Sequence, residues 1–311
     1  MVMDKSSHQP AAGSRKNLPP WLQKIYPFAR QSFITPHGAR MNFLDEGPRG
    51  DEAVLMLHGN PTWSFYFREI IRELSPSLRC VAPDHVGMGL SDKPQDHPYR
   101  LAARIDDVAA LVAHLSLRRV HLLVHDWGGA IGFGLAARQP ALVGKLAILN
   151  TAAFPVPWIP RRIALCRTRF PGTLLVRGLN GFAGPAIWMA MHRRSLAADE
   201  RRAYLWPYRS WADRVAIDAF VKDIPLEAAH PSLAALREIE AALPQFRDRP
   251  ALIAWGGRDF CFDGRFLARW REIFPQAEAV RFADAGHYVL EDAGAEIRRR
   301  LAEFFLPSLP R

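Results

Sequence analysis

Cysteine is scarce. The chain of 311 residues has three, Cys80, Cys166 and Cys261, odd in number and far apart. They supply no disulfide frame and point to a reducing compartment. No CxxC pair and no Cys/His cluster occurs, so no structural metal is expected. No apolar run approaches the roughly 20 residues of a membrane span. Residues 1–16 are polar and lack the apolar core of a secretory signal. Internal repeats are also missing. The expectation is a soluble cytoplasmic protein whose first residues, 1–25, form a flexible tail.

Acidic side chains are in deficit: 31 Asp and Glu stand against 41 Lys and Arg, a formal net charge of +10. Such a balance invites a nucleic-acid reading. The arginines are scattered over amphipathic segments, however, with no RNA-binding signature and no basic helix carrying a base-reading face. A solvated Arg-rich surface accounts for them, and no nucleic-acid partner is expected. A basic patch for a partner or an anionic carrier stays open. Apolar content of 49% supports a sizeable core, in one large domain or a domain with an insert.

What is present is alternation. Short apolar strands are expected at 30–35, 40–45, 53–57, 79–82, 120–124, 146–150, 251–255 and 278–282. The first two are joined by the turn Pro36-His37-Gly38 as a hairpin. Helical spacing recurs at 67–74, 101–115, 130–137, 233–242, 266–274 and 297–305. From 152 to 230 the strand signals stop, and prolines and indoles (Trp158, Trp188, Trp206, Trp211) take over. Strand–helix alternation implies a mostly parallel sheet with helices on both faces. The expected organisation is an α/β core over 26–151 and 231–311, with a helical cap over 152–230 inserted after the sixth strand. In such sheets ligands bind at the carboxyl ends of the strands.

The chain is organised around Val124-His125-Asp126-Trp127-Gly128-Gly129. An apolar strand ends there in a single acid, backed by glycines and followed by a helix. This is the layout of a nucleophile elbow, with Asp in place of the usual Ser and without the Gly two residues before it. A carboxylate nucleophile forms an ester with its substrate and divides one hard step into two. The competing role for Asp126 is to cap the helix that follows.

Other residues favour the nucleophile. His287, in Asp284-Ala285-Gly286-His287-Tyr288, follows the last strand and is placed to act as a base. Asp259, after the seventh strand, is its candidate orienting acid, in the order nucleophile, acid, base. Asp263 is the rival, and Asp284 is expected only to stabilise its turn. The turn His58-Gly59-Asn60-Pro61 is placed to supply an oxyanion hole from the backbone N–H groups of Asn60 and Trp127. The Asn60 amide and the Trp127 indole add two side-chain donors for an anion. Against these stand an Asx-turn for Asn60 and core packing for Trp127. The glycine-rich turn 84–91 is expected to support the site without taking part in its chemistry.

These motifs together resemble the α/β-hydrolase superfamily, in its haloalkane dehalogenase branch, over most of the chain outside the tail. The resemblance is closer to the subfamily III group that includes the β-lactone decarboxylases of cis-olefin biosynthesis. It rests on residues 60–68, on Ser210-Trp211-Ala212-Asp213-Arg214, on Phe220-Val221-Lys222-Asp223-Ile224-Pro225 and on 284–292. It implies Asp126 as nucleophile, His287 as base, Asp259 as its acid, and Asn60 and Trp127 as anion holders. The implied substrate is small and apolar, a long-chain cis-β-lactone or a haloalkane, with no cofactor and no metal. The apolar stretch 181–191 would suit two alkyl tails. The resemblance also implies work beside partner enzymes in a hydrocarbon-producing assembly. Epoxide hydrolases share His-Asp-Trp-Gly-Gly and use two cap tyrosines. Tyr204 and Tyr208 are the candidates for that pair, and Asn60, where those enzymes usually carry Phe, argues against it.

Overall fold

The computed structural model describes residues 18–306. Eight strands form one sheet: β1 Arg30–Ile34, β2 Arg40–Glu46, β3 Glu52–Leu57, β4 Cys80–Pro83, β5 Arg119–Asp126, β6 Val143–Thr151, β7 Ala251–Gly256 and β8 Glu278–Phe282. Their order is β1-β2-β4-β3-β5-β6-β7-β8. β1 and β2 pair antiparallel, as do β2 and β4, and every pairing from β4 to β8 is parallel. The expected eight-stranded, mostly parallel sheet is therefore present.

Burial explains why β3, β5 and β7 read as continuous apolar runs. Every residue of β7 is buried, and in β3 and β5 only the first is exposed. Both faces are covered, so alternation is lost. β8 at the edge is mostly exposed. His121, the polar break in β5, places Nε2 2.6 Å from Glu52 Oε1 and accepts the Lys145 N–H at Nδ1. The β1–β2 turn closes as expected, with Gly38 at φ +79°, in the left-handed region where glycine has no Cβ penalty.

The helices are α1 Pro20–Ile25, α2 Arg68–Leu74, α3 Leu101–His114, α4 Trp127–Arg138, α5 Arg161–Arg167, α6 Ala183–Met189, α7 Ala198–Leu205, α8 Val215–Lys222, α9 Pro231–Ala242, α10 Gly264–Ile273, α11 Val289–Asp292 and α12 Gly294–Phe305. Two groups cover the sheet: α3, α4 and α9 pack together, and α2 packs with α12. The helices α5–α8 lie between β6 and β7, as the cap expected after the sixth strand. No helix of the described residues is long and apolar enough to cross a membrane.

The end of the expected tail needs correcting. Residues 1–17 lie outside the described residues, but 20–25 are a helix, α1. Pro20 opens it, Leu22 is fully buried, and Trp21 meets Trp206 edge-on with ring centroids 5.7 Å apart. Proline at the first helical position is favourable because its missing N–H has no intrahelical partner to lose.

Candidate active site

β5 runs into α4 without a loop, and Asp126 is the junction. Its backbone sits at φ 52°, ψ −128°, a region that costs a non-glycine residue roughly 1–3 kcal/mol. The turn throws the side chain above the carboxyl end of the sheet. Close packing of α4 makes the turn possible, since a Cβ at Gly128 would run into the Leu57 carbonyl. The glycine missing at position 124 is compensated from the helix. Val124 fills the space beside Gly132, where a Cβ would lie 2.8 Å from Val124 Cγ1.

The Asp126 carboxylate does not cap α4. Its Oδ1 accepts the Asn60 backbone N–H at 2.6 Å, and the Trp127 N–H also bonds to the carboxylate. Gly59 leaves the room for this, since a Cβ there would collide with the carboxylate. Both backbone N–H groups thus act on the Asp126 carboxylate, and the one from Asn60 fixes Oδ1. The Asn60 side chain is more committed than expected: its amide donates to the Ile217 carbonyl of α8 at 3.1 Å, which ties the cap to the core. An amide nitrogen has two N–H bonds, so one remains for the cavity. Trp127 is half-buried, borders the same cavity and packs against Phe220 with ring centroids 5.4 Å apart.

His287 lies between β8 and α11, 5% exposed. Its Nε2 faces Asp126 Oδ2 at 3.7 Å, and its Nδ1 donates to Asp259 Oδ2 at 2.7 Å. The other oxygen of Asp259 accepts the Cys261 and Phe262 N–H groups. A carboxylate can only accept, so the proton on His287 Nδ1 is fixed in place. Asp263 instead caps α10 by accepting the Arg265 N–H at 2.9 Å, and Asp284 is exposed and pairs with Arg193. Burial alone would lower the His287 pKa. The Asp259 carboxylate, its hydrogen bond and Asp126 outweigh burial and set it above the ordinary value of 6.5. Burial lifts Asp126 above the ordinary 3.8, against the pull of His287 and the two N–H groups.

Several supporting residues were not singled out from sequence. His125 donates from Nε2 to the His287 carbonyl at 2.9 Å, and burial holds it neutral. Asn150, near the end of β6, bridges the Gly256 N–H and carbonyl at 2.7 and 3.0 Å and so fixes the strand that leads to Asp259. Glu291 receives Arg68, Arg194 and Tyr204 at one buried point between core and cap. These pairings span up to 223 residues, and nothing local marks them, although an acid near the site histidine beside a tyrosine-bearing cap is a usable hint. The turn after β4 is braced as expected: Asp84 accepts N–H groups from Ser64, Leu90 and the Asn42 amide.

Above Asp126 is a cavity of about 290 Å³, lined by Asn60, Trp127 and His287 from the core and by an apolar cap wall that includes Leu165, Phe182 and Met189. Tyr204 and Tyr208 do not line it. Their hydroxyls bond to Glu291 and to Thr62 and Gly89. Among the described residues, His37, His97 and Asp107 are close enough together to share a metal ion, and none of them belongs to this site. The arrangement is that of a buried carboxylate with one oxygen fixed, the other free beside an imidazole, under an apolar roof.

Comparison with known proteins gives consistent matches. The model of the α/β hydrolase fold matches residues 52–294. The chain is 47% identical over 278 residues to the cis-3-alkyl-4-alkyloxetan-2-one decarboxylase of Xanthomonas campestris pv. campestris, covering 86% of this chain and 92% of that one. It is 43% identical over 289 residues to the protein of the same name from Shewanella oneidensis, covering 91% and 90%. The crystal structure of the haloalkane dehalogenase DbeA from Bradyrhizobium elkani superposes with a TM-score of 0.81 at 27% identity, over 89% of this chain and 97% of that one.

Proposed function

The chain belongs to the α/β-hydrolase fold family, and from that premise we propose that it decarboxylates cis-3,4-dialkyl oxetan-2-ones, strained β-lactones, to olefins and carbon dioxide. The observation that carries this reading is the asymmetric holding of Asp126: Oδ1 is bound at 2.6 Å by the Asn60 N–H, while Oδ2 faces His287. The identity to two decarboxylases supports the choice of substrate.

In the proposed reaction Asp126 Oδ2 attacks C4, the alkyl-bearing ring carbon bonded to the ring oxygen. The new C–O bond is an ester to Asp126. The ring C–O bond breaks, and its electron pair makes the ring oxygen part of a free carboxylate. The remaining Asn60 amide N–H and the Trp127 indole N–H receive that carboxylate. In the second step the bond between the carboxylate carbon and the α-carbon breaks, and carbon dioxide leaves. That electron pair forms the C=C bond, and the pair of the ester C–O bond returns to Asp126. No water or redox partner is consumed.

Stereochemistry follows from the geometry of displacement. Attack from behind inverts the ring carbon, so the new ester and the carboxylate stand anti to each other while the two alkyl groups stay on one side. Loss of both groups then gives the cis olefin. Charge passes from a carboxylate in an apolar cavity to Asp126, where two backbone N–H groups already wait. Preorganisation of this kind costs no rearrangement at the moment of reaction. Protonated His287, held by Asp259, stabilises Asp126 as it leaves. We take residues 152–230 as the cap that supplies the apolar roof. A strained lactone requires a lactone-forming enzyme upstream, and the expected multi-enzyme assembly would serve that supply.

A second reading, hydrolytic halide release, is favoured by the same donor pair and by the structural likeness to a haloalkane dehalogenase. There His287 would activate water against the Asp126 ester. Epoxide hydrolysis is disfavoured, since Tyr204 and Tyr208 point their hydroxyls elsewhere. Incubation with a cis-β-lactone, a long-chain bromoalkane and an epoxide separates the three. Olefin with equimolar carbon dioxide supports the proposal. Bromide or diol as the dominant product, with no olefin, overturns it.

A further inference from the structure

Large apolar side chains that stay exposed are unevenly placed. Among the described residues all but Ile34 lie in the cap: Leu165, Phe170, Leu174, Leu179, Trp188 and Trp211. Phe170 is 78% exposed and Leu179 73%. Singly such residues need no explanation, but a group of them on one part of a surface marks an interaction site. Phe170, Leu174 and Leu179 occupy the connection between α5 and α6, and Leu165 and Trp188 sit on those two helices.

The same helices hold the cavity's mouth. Arg162, Leu165 and Pro185 line the cavity and are also exposed, so it opens between α5 and α6. Its volume of about 290 Å³ is at the small end for ligand sites. Long alkyl tails would reach toward that mouth.

Charge is uneven in the same stretch. Residues 152–198 contain seven arginines and not one aspartate or glutamate. Arg161, Arg162, Arg169 and Arg177 form no ion pair among the described residues. Apolar side chains set among unpaired cations match the interface of an anionic bilayer, where acyl chains take the first and lipid phosphates the second. A protein partner would have to supply both an apolar groove and a surplus of carboxylates.

We propose that the α5–α6 face of the cap docks on anionic phospholipid membranes, with Phe170 and Leu179 entering the interface and the unpaired arginines meeting the headgroups. The docking stands without the lactone reading. Its consequence, that a dialkyl substrate passes from the bilayer into the cavity without crossing water, rests on that reading.

The test is flotation of the full chain with vesicles of phosphatidylglycerol and phosphatidylethanolamine, and with vesicles of phosphatidylcholine alone. No substrate is present, so the result is independent of the reaction assigned. The wild type is expected to float with the anionic vesicles and not with phosphatidylcholine, and 0.5 M salt is expected to weaken the binding. Phe170→Ser with Leu179→Ser, and separately Arg161→Glu with Arg169→Glu, should each lower binding about tenfold or more. Turnover of a short, water-soluble lactone should be unchanged in both, because none of the four side chains lines the cavity. No flotation of the wild type, equal flotation with phosphatidylcholine, or variants that float like the wild type would overturn the proposal. So would a solution dimer that the Phe170/Leu179 variant converts to monomer, since that face would then be covered by a second copy.

Discussion

His287 Nε2 and Asp126 Oδ2 stand 3.7 Å apart, close enough to interact electrostatically and too far for a hydrogen bond. The free oxygen of Asp126 is therefore oriented by its partner, the bound Oδ1, while the imidazole acts on it through charge. That separation lets one histidine play different parts in the two reactions considered.

Their pH dependences should differ accordingly. Hydrolysis of the alkyl ester that a bromoalkane would form on Asp126 needs neutral His287 as base, so its rate should fall as pH drops through a value above 6.5. Lactone decarboxylation uses the imidazolium, so it should persist below that value and decline as pH rises through it. On the acid side it should fall only as Asp126 is protonated, above the ordinary 3.8. Parallel profiles for a cis-β-lactone and a long-chain bromoalkane read this directly, and two superimposable curves would contradict it.

Asp259 and Asp263 are four residues apart and differ in consequence. Asp259→Asn removes the acceptor that fixes the His287 proton and should lower kcat on the order of a hundredfold or more. Asp263→Asn touches only an exposed cap of α10 and should leave kcat within about twofold. Steady-state kinetics of the two variants decide whether the orienting acid is the one bonded at 2.7 Å.

Gly59 is a conformational requirement of the site. Gly59→Ala places a methyl group where the Asp126 carboxylate now lies. The carboxylate must swing away from the Asn60 N–H, and kcat should drop on the order of a hundredfold. A circular dichroism spectrum and melting temperature near those of the wild type would show that the fold survives.

Arg68 and Glu291, 3% and 4% exposed, form a buried pair between α2 and α11. Glu291→Ala leaves the guanidinium with only Glu200 and Glu69 as partners and should cost about 3 kcal/mol in urea unfolding, the low end for a broken buried pair. The Arg68→Ala, Glu291→Ala double variant should lose less than the sum of the single variants, because the second removal relieves the charge left by the first. Additive losses would contradict the coupling.

The parts of the fold visible in sequence were those with local signals. The buried strand ending in Asp126, the histidine after the last strand and the proline- and indole-rich stretch with no strand pattern all announced themselves by composition and order. What stayed hidden was long-range pairing. Nothing near Asn60 says that its amide meets Ile217, 157 residues away. Helix α1 was hidden by a different cause: it is short and follows polar sequence, although Trp21, Leu22 and Ile25 behind two prolines carried helical spacing. Asp126 itself shows the limit of propensity. Asp before a helix reads as a cap, and only the backbone angles and the donors around it show that this carboxylate is held away from the helix end.

The most direct measurement uses Asp126→Ala with a purified cis-3,4-dialkyl oxetan-2-one, following olefin and carbon dioxide together. The wild type should release the two in equal amounts with no β-hydroxy acid, and the variant should be slower by at least about a thousandfold. Olefin formation at the wild-type rate in Asp126→Ala would contradict the claim that this carboxylate bonds to the substrate.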